Sequence, residues 1–270
     1  MLPFCRKVDF EHGNSLVMLT MAIWCVGTLA EVLVLVRGFQ AKLFRRFPIF
    51  YAYLLFVNLD EFARFFVYRW HTSYYFQVYW VTQFFSLAIG SAIILEIYQV
   101  ALRSYPGAAK MARYLLLVVF GAILIKALTV PSESVITWVA ATSLVLERNL
   151  RIVQALAILT LVSLFFWYAI PFGRNLKGIL GGYSLFIGIS IIQITLLYHS
   201  WDLIKPFWTY APSLSYLLVL GIWARTLWSS QPVPEARADI RLESDYELLV
   251  ASTRDQFRRA VARLGWGVRA

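Results

Sequence analysis

Cysteine, histidine and acidic side chains are scarce in this chain. Of its 270 residues only two are cysteine and three are histidine. Cys5 lies before the first apolar run and Cys25 in its middle, so bridging them would break a helix, and a disulfide scaffold is excluded. His12, His71 and His199 share no local ligand spacing, so no zinc motif is assigned. Charged residues make up 15% of the chain and hydrophobic ones 60%. Soluble domains carry about 25% charged and about 45–50% apolar residues. With a mean hydropathy of +0.66, the chain exceeds what a soluble core of this size can hide. An ordinary soluble enzyme and a disordered protein are excluded with it. What is present is apolar sequence in long blocks, the signature of a polytopic, all-α membrane protein.

Seven runs are long and apolar enough to cross a bilayer: residues 15–36, 48–69, 76–101, 112–130, 149–170, 178–199 and 211–228. Pro48 and Pro212 open spans, whereas Pro131 and Pro171 follow or close them, and none falls inside one. The expected organisation is a tail over 1–14, a seven-helix domain over 15–228 and a tail over 229–270. The segment 131–149 is too short to cross and is expected to lie as a helix outside the membrane core, with a long extension of the fifth span as the alternative.

Basic residues set the orientation. The loops after the first, third and fifth spans hold Arg37, Lys42, Arg45, Arg46, Arg103, Lys110, Arg113, Arg174 and Lys177, nine in all. The alternate loops hold Arg69, Arg148, Arg151 and Lys205, four in all. The N-terminus is therefore expected outside and the C-terminus inside, with the first span acting as an uncleaved anchor. The localisation expected is the cell inner membrane, crossed several times. The net charge of +10 then points to anionic lipid and not to nucleic acid.

Polar residues inside the spans carry the functional signal, because charge in hydrocarbon is costly and faces a partner or a cavity. Asn58, Asp60, Glu61 and Arg64 lie in the second span. Gln83, Lys126 and Gln193 lie at comparable depth in the third, fourth and sixth, and Arg151 and Gln154 enter the fifth from the same side. These nine residues are the candidate ligand- or ion-binding layer in the outer half, with a structural ion-pair network as the alternative. Lys126 and Arg151 are the expected counter-charges for the surplus acid of the second span. Glu31, Glu96 and Gln99 form a thinner inner layer.

Gly178 and Gly182, and Ser184 and Gly188, sit four residues apart in the sixth span, a spacing that lets helix backbones approach closely within one chain or in a homodimer. In the C-terminal tail, Gln231-Pro232-Val233-Pro234 reads as a linker, and Ser244 with Glu247 forms a capping box. Tyr246, Val250, Phe257, Val261 and Leu264 then recur at helical spacing beside Arg254, Arg258, Arg259 and Arg263. This basic amphipathic helix suits an anionic leaflet or the loops of its own bundle.

The run Asn58-Leu59-Asp60-Glu61-Phe62-Ala63-Arg64, the stretch Glu96-Ile97-Tyr98-Gln99 leading to Ser104-Tyr105-Pro106-Gly107, and Leu146-Glu147-Arg148-Asn149-Leu150-Arg151 resemble an uncharacterised bacterial seven-transmembrane-helix family of unknown function. The resemblance covers the second to fifth spans and implies architecture alone.

No Gly-rich phosphate loop, nucleophile elbow or Cys-x-x-Cys pair occurs, residues 211–228 hold no lysine for a retinal Schiff base, and the one histidine within the span bounds, His199, is the last residue of its span. No catalytic residue, metal site or cofactor is assigned, and these shortages argue against an enzyme. The leading reading is a sensor or receptor-like module that binds a small ligand in its outer half and signals to a separate cytoplasmic protein. The alternatives are a transporter or channel for a small solute or ion, and a structural or assembly protein.

Overall fold

The computed structural model describes residues 14–129, 131, 134–168, 173–199, 211–228 and 240–263. Cys5, His12, Lys205, the Gln231–Pro234 linker and Leu264 lie outside these residues, as do the side chains of His199, Tyr246, Phe257, Val261 and Arg263. All the described elements are helical: α1 (Asn14–Gln40), α2 (Pro48–Trp70), α3 (Tyr75–Ala101), α4 (Pro106–Leu128), α5 (Val135–Tyr168), α6 (Arg174–His199), α7 (Ala211–Thr226) and α8 (Ile240–Arg263). Pro48 and Pro106 occupy the first helical position of α2 and α4, where a missing N–H leaves no bond unmade. Lys42 adopts the left-handed conformation (φ 55°) and turns the chain from α1 into a 3-10 turn over Leu43–Arg45.

Five helices, α1, α3, α4, α5 and α6, are long and apolar enough to cross a membrane. They are those of a multi-pass membrane protein. Their outward side chains are apolar, including Leu29, Phe85, Val118, Ile125, Leu159 and Ile192, as a surface facing lipid requires.

α5 corrects one expectation. Residues 135–149 do not form a separate helix outside the core; α5 runs without interruption for 34 residues, about 51 Å at 1.5 Å per residue. The reason is packing against α4. Thr142 donates to the carbonyl of Ala127 (3.2 Å), Trp138 Nε1 donates to that of Leu128 (3.3 Å), and Leu146 and Leu150 close a small core with Leu87 and Ala127. Arg148 and Arg151 consequently lie within a helix and not in a connecting loop.

Inter-helix contacts fix the directions of the helices. Thr28 meets Glu61 and Glu31 meets Asn58, so α1 and α2 are antiparallel. Gln83 meets Glu147, Ser91 meets Gln154 and Tyr98 meets the Ala157 carbonyl, so α3 and α5 are parallel. A Cβ on Gly178 would meet Thr226 and one on Gly182 would meet Trp223, so α6 and α7 are antiparallel and their backbones close. The glycines at 178 and 182 thus serve packing inside the chain, whereas nothing approaches Gly188. At the end of α7, Arg37 of α1 donates to the Trp228 carbonyl (2.6 Å) and stacks on its ring at 4.5 Å.

Candidate functional site

The polar residues of the spans meet around α2 and α3. Asp60 and Arg64 lie one turn apart on α2 and pair at 2.7 Å, both buried. The spacing of four residues makes this contact. The guanidinium also donates to Thr82 of α3 (2.8 Å) and lies 4.6 Å above the ring of Tyr79, a cation–π contact. Nε and Nη2 of Arg64 both bond to Asp60 and Thr82.

On α5 the same spacing joins Glu147 to Arg151, but at 3.6 Å. Arg151 is only 6% exposed, stacks at 4.7 Å on Phe186 of α6, and reaches Gln154 at 3.4 Å. Its Nε has no hydrogen-bond partner among the described residues. Gln154, 2% exposed, donates to Ser91 at 3.2 Å, and Gln83 reaches Glu147 at 3.5 Å. Tyr183 of α6 crosses this region to donate to the Gly90 carbonyl at 2.5 Å. Arg151 is thus a buried cation held by long contacts, unlike Arg64.

Between α1, α2 and α7 lies a third group. Glu31, fully buried, accepts from Asn58 at 3.1 Å and from the Tyr216 hydroxyl at 2.5 Å. Thr28 hydroxyl donates to Glu61 at 3.4 Å. On each of α1 and α2 a donor and a carboxyl sit three residues apart, so two antiparallel helices exchange donor for carboxyl twice.

The structure brings Asp60, Arg64, Gln83, Arg151 and Gln154 into one region and sets four of the nine candidates apart, Glu61 among them because it meets Thr28 of α1. Asn58 faces Glu31. Gln193 donates to Ser215 of α7 at 3.4 Å, on the far side of α6. Lys126 is exposed on α4, whose inward face is taken by Ala127. Neither expected counter-charge reaches Asp60: its own helix supplies Arg64, and Arg151 pairs with Glu147. Arg151 also does not enter α5 from its end, because α5 begins sixteen residues earlier at Val135.

The inner layer divides likewise. Glu31 is level with Asn58, whereas Glu96 accepts the backbone N–H groups of Ile49 (2.7 Å) and Phe50 (2.8 Å) at the start of α2, and Gln99 is exposed. Glu96 caps a helix whose first N–H groups have no partner within it. Glu147, Tyr79, Thr82, Ser91 and Tyr216 are members of the network that sequence reasoning missed. Glu147 lies four residues before Arg151, and that spacing was the available signal.

No family model, curated protein or solved structure matches the chain.

Proposed function

We propose that α1 to α7 all cross the bilayer, N-terminus outside and C-terminus inside, and that the buried network is the ligand site of a sensor or receptor-like module. In this reading a small polar ligand binds against Arg151 and a separate cytoplasmic protein receives the change. α2 is charged in sequence, yet Asp60 and Arg64 turn inward while Leu55, Leu59, Phe62 and Phe66 are exposed, which supports a lipid-facing helix. α7 packs between α1 and α6 with Val219, Leu220 and Trp223 buried and Leu214 and Leu218 exposed. With Arg148 and Arg151 inside α5, the basic residues of the loops fall still more heavily at one end, which supports the orientation. The bacterial seven-helix resemblance supports the same span count and an inner-membrane location.

The observation that carries the ligand reading is the contrast between the two arginines. Arg64 is bonded at 2.7 and 2.8 Å, while Arg151 is held at 3.6 and 3.4 Å with Nε unpartnered among the described residues. A buried guanidinium has five donors to satisfy, and a ligand oxygen would complete this set. Thermal unfolding of the purified protein with a panel of small carboxylates, amino acids and sugars tests it. A stabilising compound whose effect is lost in Arg151→Gln supports the reading; no shift by any probe, or one retained in Arg151→Gln, refutes it.

A second reading, a cation transporter, rests on the surplus of acid. Among the described residues Asp60 and Glu147 pair with Arg64 and Arg151, while Glu31 and Glu61 meet only neutral donors, Asn58, Tyr216 and Thr28. Sodium or potassium flux in proteoliposomes, abolished by Glu61→Gln, would favour transport over sensing.

A further inference from the structure

The geometry points to α8 as a surface helix that binds the anionic headgroups of the leaflet at the basic end of the bundle. This goes beyond the ligand reading and does not depend on Arg151. α8 touches the bundle through α4, yet its described side chains are all exposed. Leu249 is 58% and Val250 45% exposed. At 100° per residue Leu249 and Val250 share one side of the helix, with Arg254 at its edge one turn beyond Val250 and Arg258 further round. An apolar face of this kind, left uncovered by the described residues and edged by arginine, suits an interface in which apolar side chains enter the acyl boundary and cations meet headgroups.

Charge complementarity selects lipid as the occupant. The helix directions bring the stretches 37–47, 101–113, 173–177 and 225–228 to one end of the bundle. They hold Arg37, Lys42, Arg45, Arg46, Arg103, Lys110 and further bases, and no Asp or Glu at all. α4, on which α8 packs, begins there with Lys110 and Arg113 in its first turns. The second half of α8 adds Arg254, Arg258, Arg259 and Arg263 against the single Asp255. A continuous basic end of this kind is complementary to a negatively charged leaflet, where each basic residue near the surface contributes about 1 kcal/mol.

The test uses the full chain, with both cysteines replaced by serine and a spin label at Val250→Cys or Ala251→Cys. The protein is reconstituted in phosphatidylcholine alone or with about a third phosphatidylglycerol. Binding predicts that the Val250 label loses accessibility to a water-soluble nickel complex and gains accessibility to oxygen only in the anionic bilayer. The Ala251 label, on the polar face, should stay accessible to nickel. High salt should reverse the change, because it screens the headgroups, and so should Arg254→Glu with Arg258→Glu and Arg259→Glu. A Val250 label equally exposed in both bilayers overturns the inference. So does one equally protected in both, which would mean that α8 packs on the bundle.

Discussion

Glu31 of α1 accepts a hydrogen bond from Asn58 of α2 at 3.1 Å, and three residues away on each helix Thr28 donates to Glu61. The exchange fixes the register of two antiparallel helices by polar contacts, and Glu31 and Asn58 are buried where water offers no substitute partner. Asn58→Ala should therefore lower stability by about 1–3 kcal/mol, the cost of leaving a buried acceptor short of a donor. Leu59→Ala, one residue on and exposed, should cost far less. Thermal unfolding in detergent compares the two, and equal losses would show that the contact does not hold the register.

The two arginines should respond differently. Arg64→Gln breaks a short, buried pair and should cost about 3–5 kcal/mol. Arg151→Gln should cost clearly less, since its partners lie at 3.4 to 3.6 Å. Thermal unfolding without ligand measures both. A loss for Arg151→Gln as large as that for Arg64→Gln would contradict the loose hold on Arg151.

Glycines 181 and 182 form a matched pair. A Cβ at 182 would run into the indole of Trp223, whereas at 181 nothing lies within 4 Å. Gly182→Ala should destabilise by about 1–3 kcal/mol through overpacking. Gly181→Ala should be neutral or stabilising, because alanine is the better helix former. Chemical unfolding followed by Trp fluorescence reads the difference.

Continuity of α5 can be tested at Arg148, which is exposed. Arg148→Pro should cost about 3 kcal/mol or more, because proline removes a bond in a helix interior and clashes with the preceding turn. A protein that tolerates this change would have a break near residue 148. The measurement is accumulation in the membrane followed by thermal unfolding.

Topology is checked by reporter fusions. Junctions after Gly107 and after Gln231 should report cytoplasm, and one after Ser200 the outside. A periplasmic signal at Gln231 would reverse the basic end and refute the proposed orientation.

Membrane character was legible because it depends on composition summed over long runs, which no tertiary arrangement can undo. The i, i+4 pairing of Asp60 with Arg64 was legible for a similar reason: both groups sit on one helix and the geometry is local. Depth counted along single helices was a poorer guide. It grouped Glu31 with Glu96, although Glu31 meets Asn58 and Glu96 caps α2. It also set Lys126 beside Asp60, although rotation about α4 turns that lysine outward.

The sequence by itself determined the apolar helices, their proline-marked starts, the concentration of bases in alternate connections and the candidate polar residues. These follow from covalent order and from the cost of moving charge and unpaired backbone into hydrocarbon. Only the tertiary structure decided that α5 is continuous from Val135, that Arg151 pairs with Glu147, that Glu31 belongs with Asn58 and Tyr216, and that the glycines at 178 and 182 seat α7. Each of these depends on which way a helix is rotated and on which neighbour it packs against. Those choices are made by side chains far apart in the chain, so no local pattern records them.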